Sequence, residues 1–258
     1  IMSSDWSSDV CSSDLALTIP FSVIFFILTF PGLKDIFEWT HTGQLDEIIQ
    51  KKTAYLNLPF WMIRFAVYFV IWSFFAIYLR KISVKNDYEP YEKYLKRIRS
   101  ASGWFMVLFA ITSSMAAWDW LMSIDAHWFS TLYGWYVFSS MFVAALAVII
   151  IIAVAFKEFG ILPNINKEHL HDLGKYLFGF SIFWAYLWVS QYLLIWYSNI
   201  PEETVYYVER TSNFETLFIL NLIVNFLFPL LALMTRNSKR QPLLLAVVAI
   251  IVLFGHYI

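Results

Sequence analysis

The chain consists of long apolar stretches separated by short polar connections. Five stretches hold at most one charged side chain each: 59–79, 102–122, 131–156, 176–197 and 216–235. A helix of about 20 apolar residues crosses a hydrocarbon core of roughly 30 Å. The pattern therefore predicts an all-α, polytopic transmembrane helix bundle with five complete spans.

Two shorter apolar stretches, 16–31 and 242–258, lie towards the ends of the chain. Both are shorter than a full membrane crossing requires. We interpret them as truncated terminal spans, and we expect the chain to be a fragment of a larger membrane subunit whose reading frame is cut at both ends.

The first fifteen residues have a different character, because the tripeptide Ser-Ser-Asp occurs there three times. The stretch 9–15 resembles the conceptual translation of a common sequencing adapter. A signal peptide would need a basic region followed by an apolar one, and this segment has neither. We therefore interpret 1–15 as non-native and 16–258 as the transmembrane domain. Cys11, the single cysteine, is excluded with the segment, which leaves no disulfide, iron–sulfur cluster or thiolate metal site built from this chain alone.

Composition supports a lipid environment. The chain is 60% hydrophobic, 20% aromatic and only 14% charged, whereas about 25% of the residues in an ordinary soluble domain are charged. Aromatic rings gather where helices cross from hydrocarbon to headgroups. The net charge of -1 comes without a long basic run or a glycine-rich phosphate loop, so nucleic acid and nucleotide binding are not expected.

Basic residues alternate between the connections and predict the orientation. One set of alternate connections holds thirteen Lys and Arg residues and the other set holds four. Lys and Arg are retained on the cytoplasmic side of a membrane, so the first set is predicted to be cytoplasmic (inner) and the second outer. Within the inner connection 80–99, tyrosine and aliphatic residues stand among the charges, and this pattern predicts a short helix on the cytoplasmic interface.

Two ionisable side chains lie within the spans, Arg64 and Asp119. Each costs about 2.5–3.5 kcal/mol at a helix centre on insertion scales. Both are predicted a few residues below the outer surface, so they could meet. One interpretation is a structural ion pair between neighbouring helices. A second makes Asp119 a proton-relay or ligand-binding carboxylate with Arg64 tuning its pKa, and a third is interfacial snorkelling by Arg64.

Polar residues crowd the outer turn that follows Asp119. Asp125 and His127 stand among three tryptophans there. Asp125 could cap the next helix, and His127 beside it is a candidate for proton exchange, since the intrinsic pKa of histidine lies near neutrality. Around Asp119, small and hydroxylated residues share its face of the helix and favour close helix packing: Thr112, Ala116 and Ser123.

A second polar edge follows the span 176–197. Gln191 lies two turns inside that span without a charged partner, so we expect it to hydrogen-bond to another helix or to a polar ligand. Tyr192 is next to it, and Pro201 ends the helix ahead of Glu202 and Glu203. These glutamates are either part of a solvated acidic loop or part of a proton path. On the following span, Asn221 and Asn225 form a polar face that packing between helices would explain.

Haem is not expected in this chain. Bis-histidine ligation in a bundle needs histidines that face each other within the spans. Four of the histidines are predicted in loops or at helix ends, and His256 stands alone.

The two outer edges carry a resemblance to a known family. The runs 119–131, Asp-Trp-Leu-Met-Ser-Ile-Asp-Ala-His-Trp-Phe-Ser-Thr, and 190–204, Ser-Gln-Tyr-Leu-Leu-Ile-Trp-Tyr-Ser-Asn-Ile-Pro-Glu-Glu-Thr, resemble those of ActF. ActF is the quinone-binding integral subunit of alternative complex III, the bacterial quinol:cytochrome c oxidoreductase, and is related to the NrfD and polysulfide reductase membrane subunits. The resemblance extends over 16–258.

The resemblance implies two four-helix bundles flanked by extra helices, in the bacterial inner (cytoplasmic) membrane. It implies partner subunits that carry haems and iron–sulfur clusters at the periplasmic face, and no haem, cluster or metal in this chain. It also implies quinol binding or proton conduction near that face. By position, the candidate proton-relay residues are Asp119, Asp125 and His127, and the candidates along a quinone or proton path are Arg64, Gln191, Tyr192, Glu202 and Glu203.

The sequence therefore predicts a respiratory-chain membrane subunit that supports quinol oxidation and releases or conducts protons through Asp119 and the outer carboxylates. A secondary transporter or ion channel is the alternative, although Pro229 is the single proline inside a complete span, which counts against broken helices. A third possibility is a purely structural anchor for redox subunits.

Overall fold

The computed structural model describes residues 30–40, 47–86, 91–161 and 165–257, with all side chains in these ranges except those of residues 30, 83–86 and 91–95. All regular secondary structure in this part of the chain is helical. The helices are α1 (Leu33–Ile36), α2 (Glu47–Lys52), α3 (Leu58–Asn86), α4 (Tyr91–Trp120), α5 (Tyr133–Glu158), α6 (Lys167–Ser198), α7 (Pro201–Asn213), α8 (Glu215–Ala232) and α9 (Pro242–Gly255). Single 3-10 turns occupy Phe30–Gly32, Glu38–Thr40, Met122–Ile124 and Ser238–Arg240.

The predicted membrane spans are confirmed. Among the described residues, five helices are long and apolar enough to cross a membrane: Leu58–Ile82, Lys96–Ile124, Tyr133–Glu158, Lys167–Ser198 and Glu215–Ala232. α9 is apolar but shorter. The predicted terminal span 16–31 falls outside the described residues except for its last two. The chain is thus an all-α, multi-pass membrane protein.

Large apolar side chains lie exposed along the spans. Ile63 and Val70 on α3 are 60% and 67% exposed, and Met106 on α4 is 70% exposed. A water-soluble protein rarely leaves contiguous apolar surface of this extent uncovered. These faces are suited to contact with lipid chains.

The chain folds as two compact units, Ile1–Phe129 and Ser130–Ile258. In the first unit α3 packs along α4. An apolar cluster at the N-terminal end of α3 packs side chains from 33–39, from 49–56 and from the turn after α4 against those of the helix: Leu33, Phe37, Trp39, Ile49, Leu56, Trp61, Phe65 and Ala126.

In the second unit α5 packs against both α6 and α9. Both α5 and α9 carry fully buried side chains, among them Ile150 and Val248. α8 contains a π-helical segment, Ile223–Leu227, just before Pro229. Proline lacks an N–H and its ring clashes with the carbonyl four residues earlier. The wider turn therefore lets α8 continue past the proline.

The inner connection differs from the sequence prediction. α3 continues to Asn86 and α4 begins at Tyr91, so the predicted short interfacial helix within 80–99 is wrong for the described residues. Four of the residues that suggested it belong to the first turns of α4 instead, namely Tyr91, Tyr94, Leu95 and Ile98. Tyr88 lies outside the described residues. Polar residues with good helix propensity let a membrane helix extend beyond the hydrocarbon.

Candidate functional site

The predicted meeting of Arg64 and Asp119 is confirmed. Arg64 on α3 donates from Nε to Oδ2 of Asp119 at 2.8 Å and from a terminal nitrogen to Oδ1 at 2.9 Å. Such a two-point guanidinium–carboxylate pair is both strong and geometrically specific. Both side chains are buried, and Asp119 is 1% exposed. The pair ties α3 to α4.

Other donors complete the surroundings of Asp119. The hydroxyl of Tyr68 donates to its Oδ2 at 2.8 Å, and the indole nitrogen of Trp61 donates to its backbone carbonyl at 2.9 Å. Ser123 also donates to that carbonyl. The carboxylate therefore has three donors and almost no access to solvent. This geometry supports the structural interpretation of the ion pair, and a proton-relay role for Asp119 stays a prediction.

Two aromatic rings pack against the guanidinium of Arg64. Its guanidinium lies 3.9 Å from the ring centre of Tyr55 and 4.4 Å from that of Phe60, and it donates to the backbone carbonyl of Tyr55. Burial, followed by the nearby Asp119 carboxylate, raises the pKa of Tyr55 to about 12. Tyr55 is therefore a neutral phenol near neutral pH. Because Arg64 is buried under these rings, the predicted alternative that its side chain snorkels to water is not observed.

The predicted stripe on α4 is buried. Thr112, Ala116 and Ser123 all lie in the protein interior with Asp119. The hydroxyl of Thr112 accepts from the indole nitrogen of Trp72 at 2.9 Å. The stripe thus packs α4 against α3, as the packing interpretation predicted.

Asp125 stabilises its own turn. Its Oδ1 accepts from the backbone N–H groups of His127 and Trp128 at 3.2 and 3.3 Å. The prediction that it caps the next helix is wrong, since the N-cap of α5 is Leu132 and has no side-chain hydrogen bond. The Nζ of Lys52 also donates to the carbonyl of Ala126 at 2.6 Å. Asp125 is thus separate from the carboxylate network of Asp119, whose partners are Arg64 and Tyr68.

A large cavity lies at the end of the second unit where α6 ends and α7 begins. Its volume is about 510 Å³, which is within the range of small-molecule sites, about 300–1,000 Å³. Residues from α5, α6, α7 and α8, together with His256 after α9, line it. Aromatic rings form much of its wall: Tyr136, Trp184, Trp188, Tyr206, Tyr207 and Phe218.

Three nitrogens on the cavity residues are buried without a partner among the described residues: Nε2 of Gln191, Nε1 of Trp184 and Nε2 of His256. Gln191 itself is only 2% exposed. The sequence predicts that Gln191 hydrogen-bonds either to another helix or to a ligand. Its amide nitrogen makes no hydrogen bond to another described helix. A buried polar group without a hydrogen bond costs about 1–3 kcal/mol, a cost that a polar ligand bonded to these nitrogens would offset.

A hydrogen bond and a ring contact hold the imidazole of His256 in place. Its Nδ1 lies 3.0 Å from the hydroxyl oxygen of Ser140 on α5, and its ring packs edge-on against Trp184 with 5.5 Å between the ring centres. In a neutral imidazole one ring nitrogen is a donor and the other an acceptor, so the hydrogen bond at one nitrogen determines which of the two the other is. If Ser140 accepts from Nδ1, Nε2 is a proton acceptor that belongs to the cavity lining.

The segment after α6 is helical, contrary to the predicted acidic loop. α6 ends at Ser198, followed by Asn199 in the left-handed conformation (φ 47°), and Pro201 begins α7 as its first residue. Glu202 and Glu203 lie in the first turn of α7, where negative charge is favoured by the helix dipole. They do not belong to the cavity lining.

α7 contributes cavity residues that the sequence analysis did not select. Tyr206, Tyr207, Glu209 and Arg210 line the cavity, and Arg210 stacks on Tyr206 with 3.4 Å between the guanidinium carbon and the ring centre. Tyr192 lies behind this wall, with its ring centre 5.1 Å from that of Tyr207. Burial raises the pKa of both Tyr206 and Tyr207, so both rings stay neutral. The amphipathic spacing of apolar residues in α7 is the sequence feature from which these cavity residues could have been predicted.

The two asparagines of α8 behave differently. Asn221 donates to the carbonyl of Gly255 at 2.9 Å and lines the cavity, so its predicted interhelical role is confirmed. Asn225 is fully buried in the π-helical segment, and neither of its amide atoms has a partner among the described residues. A Cβ on Gly255 would approach its Oδ1 to 2.5 Å, so a larger residue there would force the side chain of Asn225 to move.

No group of three His, Cys, Asp or Glu side chains in the described part of the chain is arranged to hold a metal ion.

Neither the protein-family models nor the curated proteins contain a match to this chain.

Proposed function

We propose that this chain is a quinol-binding membrane subunit and that the quinol binds in the cavity of the unit Ser130–Ile258. The supporting observation is the set of three unpartnered nitrogens, on Gln191, Trp184 and His256, in the lining of one largely aromatic cavity. A quinol head group has the matching form, an apolar ring with an oxygen at each of two opposite positions. Aromatic walls with a few convergent polar groups are typical of cofactor sites.

Each nitrogen has a distinct task in this proposal. The amide of Gln191 and the indole of Trp184 are hydrogen-bond donors, so they bind and orient the ring oxygens. His256 accepts a proton from a quinol hydroxyl at Nε2, with its ring positioned by Ser140. Oxidation of a quinol releases two electrons and two protons, and a base within hydrogen-bond reach of the hydroxyl acts as the general base.

A carboxylate at the rim of the cavity can transfer protons to solvent. Glu209 on α7 lines the cavity and is exposed to solvent, and the distribution of basic residues predicts that this end faces the non-cytoplasmic side. A carboxylate there can receive protons and pass them to water. In this proposal Glu209 replaces Glu202 and Glu203 as the acidic group of the path.

The wider assignment rests on the resemblance of the two outer edges to the alternative complex III subunit. Under this assignment, the chain lies in the bacterial inner membrane as part of a quinol:cytochrome c oxidoreductase. Partner subunits with haems and iron–sulfur clusters accept the electrons of the quinol. The chain itself supplies binding, orientation and proton acceptance. The candidates of the first unit, Asp119, Asp125 and His127, keep a predicted proton role. For Asp119 it is tested by Asp119→Asn in an assembled complex, and unchanged quinol:cytochrome c activity and proton release would remove Asp119 from the mechanism.

Gln191→Leu is expected to weaken binding of a quinone analogue to the purified full chain by about tenfold or more. Losing a hydrogen bond to a buried group costs about 1–3 kcal/mol, and about 1.4 kcal/mol corresponds to a tenfold change in affinity. Equilibrium binding in detergent measures the change. Gln241→Leu is the matched control, since Gln241 is exposed and lies at the start of α9. Equal affinity of the Gln191→Leu variant and the unaltered chain would exclude Gln191 from the site. A purely structural anchor would bind no analogue at all.

A further inference from the structure

A second, smaller pocket lies at the outer end of the unit Ile1–Phe129. Its volume is about 330 Å³, and it lies between the segment 51–56 and the end of α4 with the turn after it. Its walls are mainly apolar and aromatic, including Trp118, Met122 and Phe129. Phe129 is 50% exposed and the neighbouring Leu121 is 46% exposed, so the pocket continues into an apolar outer surface.

Opposite charges line this pocket without forming a contact ion pair. Lys52 and Asp125 both belong to the lining. The Nζ of Lys52 donates to the carbonyls of Ala126 at 2.6 Å and His127 at 3.4 Å, and no salt bridge within 4.0 Å joins it to Asp125 in the described part of the chain. An ammonium has three donors, so one remains for a guest.

Two further polar atoms of the lining are available. Asp125 uses Oδ1 for the two backbone N–H groups of its turn, which leaves Oδ2 as an acceptor. The indole nitrogen of Trp118 is buried and has no hydrogen-bond partner among the described residues. The pocket thus offers two donors and one anionic acceptor above an apolar wall.

We propose that this pocket binds the head group of a phosphatidylethanolamine-type phospholipid. The phosphate accepts from Nζ of Lys52 and the indole N–H of Trp118, the primary ammonium donates to the carboxylate of Asp125, and an acyl chain lies on Leu121 and Phe129. Complementary charge at both positions distinguishes this head group from others. Asp125 repels an anionic head group such as phosphatidylglycerol, and a choline head group has no N–H to donate.

Native mass spectrometry of the purified full chain tests this lipid site. The chain is mixed with phosphatidylethanolamine, phosphatidylglycerol or phosphatidylcholine of matched acyl chains. We expect phosphatidylethanolamine to stay bound at roughly tenfold lower lipid concentration than the other two. Equal retention of the three lipids, or preferential retention of either other lipid, would overturn the proposal.

Asp125→Asn is the sharpest variant, because an asparagine Oδ1 can accept the same two backbone N–H groups and so preserves the turn. We expect it to remove the preference for phosphatidylethanolamine over phosphatidylcholine, while Lys52→Gln weakens retention of both. Lys34→Gln is the control, since Lys34 is exposed on α1 and does not line the pocket. An unchanged preference in Asp125→Asn would refute the assignment, and quinone binding in the other unit is measured independently of it.

Discussion

Replacing Arg64 by methionine is expected to lower the free energy of unfolding by about 3–5 kcal/mol, the cost of leaving one partner of a buried ion pair uncompensated. The variant leaves the Asp119 carboxylate buried with Tyr68 as its remaining side-chain donor, and it also removes the stacking on Tyr55 and Phe60. Denaturant unfolding of the purified chain in detergent, followed by tryptophan fluorescence, measures the change.

The double variant Arg64→Met with Asp119→Leu separates structure from chemistry at this pair. Replacing both partners of a buried pair by apolar side chains is often nearly neutral, so we expect most of the lost stability to return. Lys51→Met, which breaks an exposed pair, is the control and should change stability little. A single Arg64→Met variant as stable as the control would contradict the structural role. Loss of quinol oxidation in a fully stable double variant would instead support a proton role for Asp119.

His256→Phe is expected to lower the rate of quinol oxidation by the assembled complex about 10²–10⁴-fold, the usual contribution of a general acid or base. Phenylalanine retains a ring that can pack on Trp184 but cannot accept a proton, so kcat should fall more than KM rises. Steady-state quinol:cytochrome c activity measures the effect. His171→Phe is the matched control, because His171 lies near the start of α6 and outside the cavity lining. A His256→Phe complex with at least a third of the original kcat would exclude His256 as the base.

The membrane spans were predictable because hydrocarbon imposes one requirement on every helix that crosses it: about 20 residues with very few charges. The Arg64–Asp119 pair was predictable for a related reason. Charges inside a span are costly, so two opposite charges at similar depth on successive helices are expected to meet. The geometry of that pair, with Tyr68 and Trp61 as additional donors, depends on side-chain packing that the sequence pattern does not encode.

The cavity was harder to predict because its lining comes from five separate segments. Gln191 was recognised from its burial within an apolar span, but His256 was set aside because it stood alone in the sequence. Its partners, Ser140 and Trp184, lie far away along the chain and meet it through tertiary packing. For the start of α7 the sequence suggests either a solvated acidic loop or a proton path, because Glu202 and Glu203 dominate it. The buried face of this helix, which holds Tyr207, connects it to the cavity instead.

Photolabelling with an azidoquinone tests the location of the quinol site most directly. The full chain, or the complex that contains it, is irradiated with the analogue, digested, and mapped by mass spectrometry. We predict labels on peptides of α6, α7 and α8 in the unit Ser130–Ile258, with labelling strongly reduced by Gln191→Leu and by excess unlabelled quinone. Labels confined to the turn between Asp119 and His127, or labelling that Gln191→Leu leaves unchanged, would contradict the assignment of the quinol to this cavity.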